Sequence, residues 1–192
     1  MTFLSDDLGL LISAITFATD KHQNQRRKGR ERPPYINHPI HLLNLLWDIG
    51  EVRDIPTLVA AVLHDTLEDT NTTPDELAAR FGTDVLAIVQ EVTDDKSLPK
   101  EERKRLQIEH APHLSSPAKH IKLADKIDNV QDVILATPAD WSHTRLVTYV
   151  DWSEAVVTKL RGTNTALETH FDAVVRDARE VLQKPPSQPI KN

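Results

Sequence analysis

Residues 58–69 read Leu-Val-Ala-Ala-Val-Leu-His-Asp-Thr-Leu-Glu-Asp. The spacing of Val59, Val62, Leu63 and Thr66 predicts a helix, with Asp54 as its cap and Pro56 in its first turn. At about 100° per residue, His64, Asp65, Glu68 and Asp69 fall on one arc of roughly 140°, with the small Ala61 inside it. Val59, Leu63 and Leu67 take the opposite side. An imidazole and three carboxylates therefore share one face of an otherwise apolar helix. Carboxylates crowded in this way repel one another and lose hydration, so they need protons or a cation. A solvated helix end would also accommodate them. The apolar flank and the second acidic pair one turn on point instead to a divalent metal, whose remaining ligands must come from elsewhere in the chain.

Composition limits what surrounds this helix. The 192 residues are 39% hydrophobic, enough for one sizeable core. With no Cys there is no disulfide, thiolate ligand or Cys nucleophile, which fits a reducing, cytoplasmic setting. No apolar run is long enough for a membrane helix, and the first residues lack the basic start of a signal peptide. The formal net charge of −6 argues against a duplex nucleic-acid partner, so any anion site must be local. Few Gly among many Leu, Ala, Glu and Arg favour helices joined by short connections.

Upstream, residues 5–24 predict an amphipathic helix with Leu8, Leu11, Ile12, Ile15 and Ala18 as its buried stripe. The basic loop at residues 25–35 follows, broken by Gly29, Pro33 and Pro34. It reads as a solvated charge run or as one wall of a phosphate site, since it leads straight to His38. His38, beside Pro39 at a helix start, is held rigidly enough to be a ligand or a cap, with His41 a weaker competitor.

Downstream, Thr73 and Glu76 form a capping box for a short helix ending at Gly82, and Thr83 opens another. Lys96 lies in a polar turn within reach of an anionic ligand. Lys100, Arg103, Lys104 and Arg105 cluster on a basic helix, either solvated or forming a second phosphate wall. A long helix from Ser116 to about Ala136 carries Lys122, Asp125 and Asn129 on one face. Asp125 on that largely apolar stretch is explained by an ion pair with Lys122 or by a place in the metal site, and the second reading fits the His64-Asp65 cluster. Two further helices, stopped by Gly162 and running to about Gln183, complete an all-α fold of about nine to eleven helices. Residues 1–183 are expected to form one domain, and residues 184–192 a disordered tail.

Taken together, Arg26-Arg27-Lys28, Pro34-Tyr35-Ile-Asn-His38-Pro39, Leu63-His64-Asp65-Thr-Leu-Glu68-Asp69-Thr and Lys122-Leu-Ala-Asp125-Lys resemble the hydrolase domain of RelA/SpoT homologues. That domain belongs to the HD superfamily of metal-dependent phosphohydrolases, and the likeness runs from about residue 10 to 180. It is greatest to the free-standing small alarmone hydrolases. The resemblance implies a helical HD-type fold, one Mn²⁺ ion, and removal of the 3′-pyrophosphate from (p)ppGpp to leave GDP or GTP. It implies His38, His64, Asp65 and Asp125 as metal ligands and Glu68 and Asp69 as catalytic carboxylates. Arg27, Lys28, Lys96, Asn129 and Tyr149 fall where nucleotide contacts are made. One residue departs from the pattern: Asp128 stands where the family carries Tyr or His. An added carboxylate there is expected to weaken binding of guanosine phosphates or to mark another substrate, such as (p)ppApp or NADPH. A non-catalytic nucleotide sensor is the rival from another class, though it would not need all six metal and catalytic residues.

Overall fold

The computed structural model describes residues 3–29, 31–138 and 140–183. Ten α-helices run through them: α1 (Phe3–Lys21), α2 (Asn37–Asn44), α3 (Ile55–Leu63), α4 (Thr66–Asp69), α5 (Pro74–Phe81), α6 (Thr83–Val92), α7 (Lys100–His110), α8 (Ser116–Leu135), α9 (His143–Thr158) and α10 (Thr165–Gln183). A π-helical turn, Leu45–Ile49, extends α2, and a 3₁₀ turn, Ala111–His113, follows α7. The isolated bridge between Arg26 and Pro34, across the basic loop, is the one extended pairing among the described residues. The fold is all-α, as the sequence predicts. The expected tail, residues 184–192, lies outside the described residues. No described helix is long and apolar enough to cross a membrane.

α3 is the centre. Thr57 to Leu63 are each at most 1% exposed, and the helix packs against α1, α2, α6 and α8. α10 lies along α8 and brings Leu167, Phe171 and Ala178 into the same core. The helix ends follow from local chemistry. Asp54 accepts the Thr57 N–H at 3.0 Å, and Ser115, Ser142 and Asn164 cap α8, α9 and α10 in the same way. Gly82 (φ 88°) ends α5, and Gly162 (φ 87°) turns the chain between α9, which stops at Thr158, and α10, both in the left-handed region open to glycine. Thr73 accepts the Glu76 N–H, but the Glu76 carboxylate turns to Lys21 at 2.8 Å, so only half of the capping box forms.

Two expectations change. α1 ends at Lys21, short of residue 24, and buries Ala14, Phe17 and Ala18, while Leu8 and Ile12 are more than half exposed. Adjacent Leu and Ile residues allowed two stripes about 100° apart. Phe17, edge-on to Phe81 with centroids 5.4 Å apart, selects the other stripe. The helix predicted through residue 69 is also interrupted, at His64-Asp65. His64 Nδ1 lies 2.8 Å from the Ala61 carbonyl and the Thr66 hydroxyl donates to the Leu63 carbonyl at 2.6 Å, so side chains take up carbonyls in the last turn of α3. Asp65 sits at φ −98°, ψ 0°, and α4 starts afresh after it.

Candidate metal centre

The break in the helix aims two ligand-type side chains at a third. His38, His64 and Asp65 each offer an atom within 4.8 Å of the others. They come from three places: His38 from the first turn of α2, His64 from the end of α3 and Asp65 from the joint with α4. His38 and His64 are buried, and their rings meet edge-on at 5.1 Å.

Hydrogen bonds fix which ring nitrogens face the cluster. The Ala61 carbonyl can only accept, so His64 Nδ1 carries the proton and Nε2 presents a lone pair. That Nε2 is buried, has no hydrogen-bond partner, and stands 2.9 Å from Asp65 Oδ2. Two electron-rich atoms at that distance call for a cation between or beside them. His38 Nδ1 lies 2.6 Å from Asp128 Oδ2, and its Nε2 faces Asp125 at 3.3 Å and Asp65 at 3.9 Å. The set of two imidazole nitrogens and carboxylate oxygens, with a buried nitrogen left unpartnered, fits a divalent metal ion.

Charge within the protein already holds the two carboxylates in ligating form. Burial raises the Asp65 pKa, but His64 and His38 outweigh it and keep the carboxyl well below the usual carboxylate range. Burial opposes ionisation of Asp125 too, and Lys126, at 2.8 Å, reverses the effect. Burial lowers His38, yet Asp125 and Asp128 bring it up to about 9 in the ion-free protein. A cation would take over the compensation that the imidazolium proton then provides.

Asp125 touches His38 but lies outside the three-residue cluster. Its partners are Lys126 and Asn129, whereas Lys122 donates to the Val92 carbonyl, so the expected Asp125–Lys122 ion pair does not form. Glu68 and Asp69 line the same chamber of about 180 Å³ as His38, His64, Asp65 and Asp125. Glu68 accepts the Asp94 backbone N–H at 3.0 Å and faces Arg103 at 3.6 Å. Burial raises its pKa, and that N–H partly offsets the rise. Asp69 is paired with Lys96.

The chamber opens into a larger cleft of about 450 Å³, and Arg27, Tyr35, Asp69, Asp94, Gln107 and Asn129 belong to both. Six cationic side chains line the cleft against three carboxylates, so its lining is net positive although the chain is acidic. Lys28 comes from the basic loop, and Lys100, Arg103 and Lys104 come from one face of α7. Trp141, Tyr149 and Trp152 form an aromatic wall with centroids 5.2 and 5.4 Å apart. Burial pushes the Tyr149 hydroxyl up to about 12, so it stays a neutral donor. Among the expected nucleotide contacts, Arg27, Lys28, Asn129 and Tyr149 line this cleft; Lys96, engaged with Asp69, does not. Arg105 turns away to Glu102 and Glu109.

Sequence reasoning missed several residues. The Tyr35 hydroxyl donates to Asp65, although Tyr35 sits in the quoted motif before His38. Trp141 and Trp152, which also line the cleft, belong to none of the motifs quoted above. Asp128 is a correction. It is 3% exposed and lines neither chamber nor cleft; it lies behind His38, where it cannot repel a nucleotide phosphate directly.

Comparison with known proteins agrees with this geometry. The model of the HD domain matches residues 14–149. The guanosine-3′,5′-bis(diphosphate) 3′-pyrophosphohydrolase MESH1 of Xenopus tropicalis is 52% identical over 91% of this chain and 97% of its own length. The chain belongs to the HD family of RelA/SpoT-type hydrolases. The human MESH1 enzyme is 50% identical over 86% of this chain and 92% of its own length. A solved structure of a metazoan orthologue of SpoT, which hydrolyzes ppGpp and plays a role in starvation responses, superposes with a TM-score of 0.85. It is 45% identical and covers 88% of this chain and 94% of its own.

Proposed function

We propose that the chain is a Mn²⁺-dependent 3′-pyrophosphohydrolase of (p)ppGpp, acting through one hydrolase domain over residues 1–183. The observation that carries the reading is the shared wall between the His38-His64-Asp65 chamber and the cationic, aromatic cleft. A pyrophosphorylated nucleotide has the matching parts: a charged end to reach the chamber, further phosphates, and a flat base.

His38, His64, Asp65 and Asp125 would hold the ion. When bound, the ion supplies Lewis acidity and makes water acidic enough to ionise near neutral pH. Glu68, fixed by the Asp94 N–H, takes the proton of the attacking water. The water oxygen bonds to the phosphorus attached at the ribose 3′ oxygen. The phosphorus–oxygen bond to the ribose breaks, and the 3′ oxygen leaves with a proton. The products are pyrophosphate and GDP or GTP. Asp69, tied to Lys96 and to Gln25 through its carbonyl, keeps the wall of the chamber in place. Arg27, held by Asp128, Asn129 and Asp132, lines both chamber and cleft. Lys28, Lys100, Arg103 and Lys104 stabilise charge on the phosphates as the bond breaks.

The test is product identification. Purified protein with Mn²⁺ is incubated separately with ppGpp, ppApp and NADPH. Release of GDP and pyrophosphate from ppGpp, at the highest kcat/KM of the three, is expected. Faster turnover of ppApp or NADPH would reassign the substrate on the same site.

The aromatic wall gives a second expectation. Trp141→Ala should raise KM for ppGpp by about 5- to 150-fold, corresponding to roughly 1–3 kcal/mol of base stacking, with a smaller change in kcat. Steady-state kinetics at saturating Mn²⁺ measure it, and an unchanged KM would move the base away from this wall.

A further inference from the structure

The two histidines of the cluster are backed by different partners. His64 Nδ1 meets a peptide carbonyl, that of Ala61, at 2.8 Å. His38 Nδ1 meets a carboxylate, Asp128 Oδ2, at the shorter distance of 2.6 Å. Asp128 lies one turn along α8 from Asp125, so a single helix sets a carboxylate on each side of the His38 ring. The same Oδ2 accepts from Arg27 at 3.1 Å, while Oδ1 receives His41 Nδ1 at 3.0 Å. Asp128 is buried, and three donors from the basic loop and α2 converge on it. A buried carboxylate is costly unless its oxygens are satisfied, and here both are.

We infer that Asp128 is a positioning residue for the metal centre: it locks the His38 ring with Nδ1 protonated and strengthens Nε2 as a donor to the ion. This rests on the metal-centre reading above. A carboxylate accepts only, so the proton on that side must belong to the ring. A charged acceptor also pulls on that proton harder than a carbonyl does, which makes the opposite nitrogen more basic. His38 is thereby set apart from His64. Its hold on a cation depends on a full negative charge behind it. Arg27 shares that carboxylate, so Asp128 also joins the metal chamber to the first cation of the substrate cleft.

Asp128→Asn is the informative variant, because Asn keeps the shape and an acceptor oxygen while removing the charge. Calorimetric titration of the ion-free full-length protein with Mn²⁺ should show Kd raised by about 10- to 100-fold, the usual cost of losing an outer partner of a ligating histidine. The ion-free melting temperature should fall, because Arg27 and the two histidines lose a charged partner, so Kd is read at a temperature where circular dichroism shows the variant folded, and kcat should recover at high Mn²⁺. An unchanged Kd overturns the proposal while leaving the metal centre standing. Failure of the unmodified protein to bind Mn²⁺ would overturn both. Should Asp128→Asn not fold, nitrogen-15 NMR of the unmodified protein loaded with Zn²⁺ decides. A far-downfield, slowly exchanging His38 Nδ1–H is expected, and a His38 ring protonated at Nε2 overturns the inference.

Discussion

Asp65→Ala is expected to abolish both Mn²⁺ uptake and hydrolysis. Asp65 is the one residue of the cluster that offers an oxygen, and its Oδ2 lies 2.9 Å from His64 Nε2 and 3.9 Å from His38 Nε2. Without it, two imidazole nitrogens remain with Asp125, which faces His38 alone. The loss should therefore exceed the roughly 10- to 100-fold that removal of an outer partner costs. Calorimetry should show no saturable Mn²⁺ binding, and product release should fall to the uncatalysed level. Stability provides a readout independent of activity. At 100 times Kd, Mn²⁺ should stabilise the unmodified protein by about 2.7 kcal/mol. For a chain of this size that is a rise in melting temperature of roughly 5–10 °C. Asp65→Ala should show no such rise. A variant that still binds Mn²⁺ tightly, or still turns over substrate, would remove Asp65 from the ligand set.

The parts of the site legible in sequence are those carried by residue type and helical period. His64, Asp65, Glu68 and Asp69 announce themselves because three carboxylates on the polar arc of an apolar helix are expensive without a cation. His38 and Asp125 followed from rigid placement and from an acid on a buried face. The interruption at His64-Asp65 was not legible, because helical periodicity carries no information about a side chain capturing its own helix's carbonyl. The partners of charged residues were equally hidden. Packing of α6 on α8 gives Lys122 to the Val92 carbonyl and leaves Asp125 to its neighbour Lys126, and Lys96 pairs with Asp69 rather than the cleft. Asp128 shows the difference most sharply. As a letter in a motif it reads as a charge facing the substrate. In the fold it is a charge facing the back of a ligand. The aromatic wall has the same origin: only the fold brings Trp141, Tyr149 and Trp152 to one cleft, with Arg145 over the Trp141 ring and Lys104 and Lys126 over Trp152.

Glu68→Ala should separate chemistry from metal binding. Glu68 lies in the chamber but outside the three-residue cluster, so its removal should leave the Mn²⁺ Kd unchanged. Its carboxylate is positioned as a proton acceptor. One oxygen is tied to the Asp94 N–H at 3.0 Å, and the other faces Arg103 at 3.6 Å. Burial raises its pKa, making it a stronger base than a solvated glutamate. Asp69, the neighbouring acid, is neutralised by Lys96 and is the weaker candidate for that role. Loss of a positioned general base costs about 10²- to 10⁴-fold. The fall should appear chiefly in kcat, because the aromatic wall and the cleft cations other than Arg103 are untouched. Single-turnover measurement with excess enzyme isolates the chemical step from product release. A variant with kcat equal to that of the unmodified protein would transfer the base to another group. A variant that loses Mn²⁺ along with activity would instead make Glu68 a ligand, and the division between holding the ion and accepting the proton would have to be redrawn.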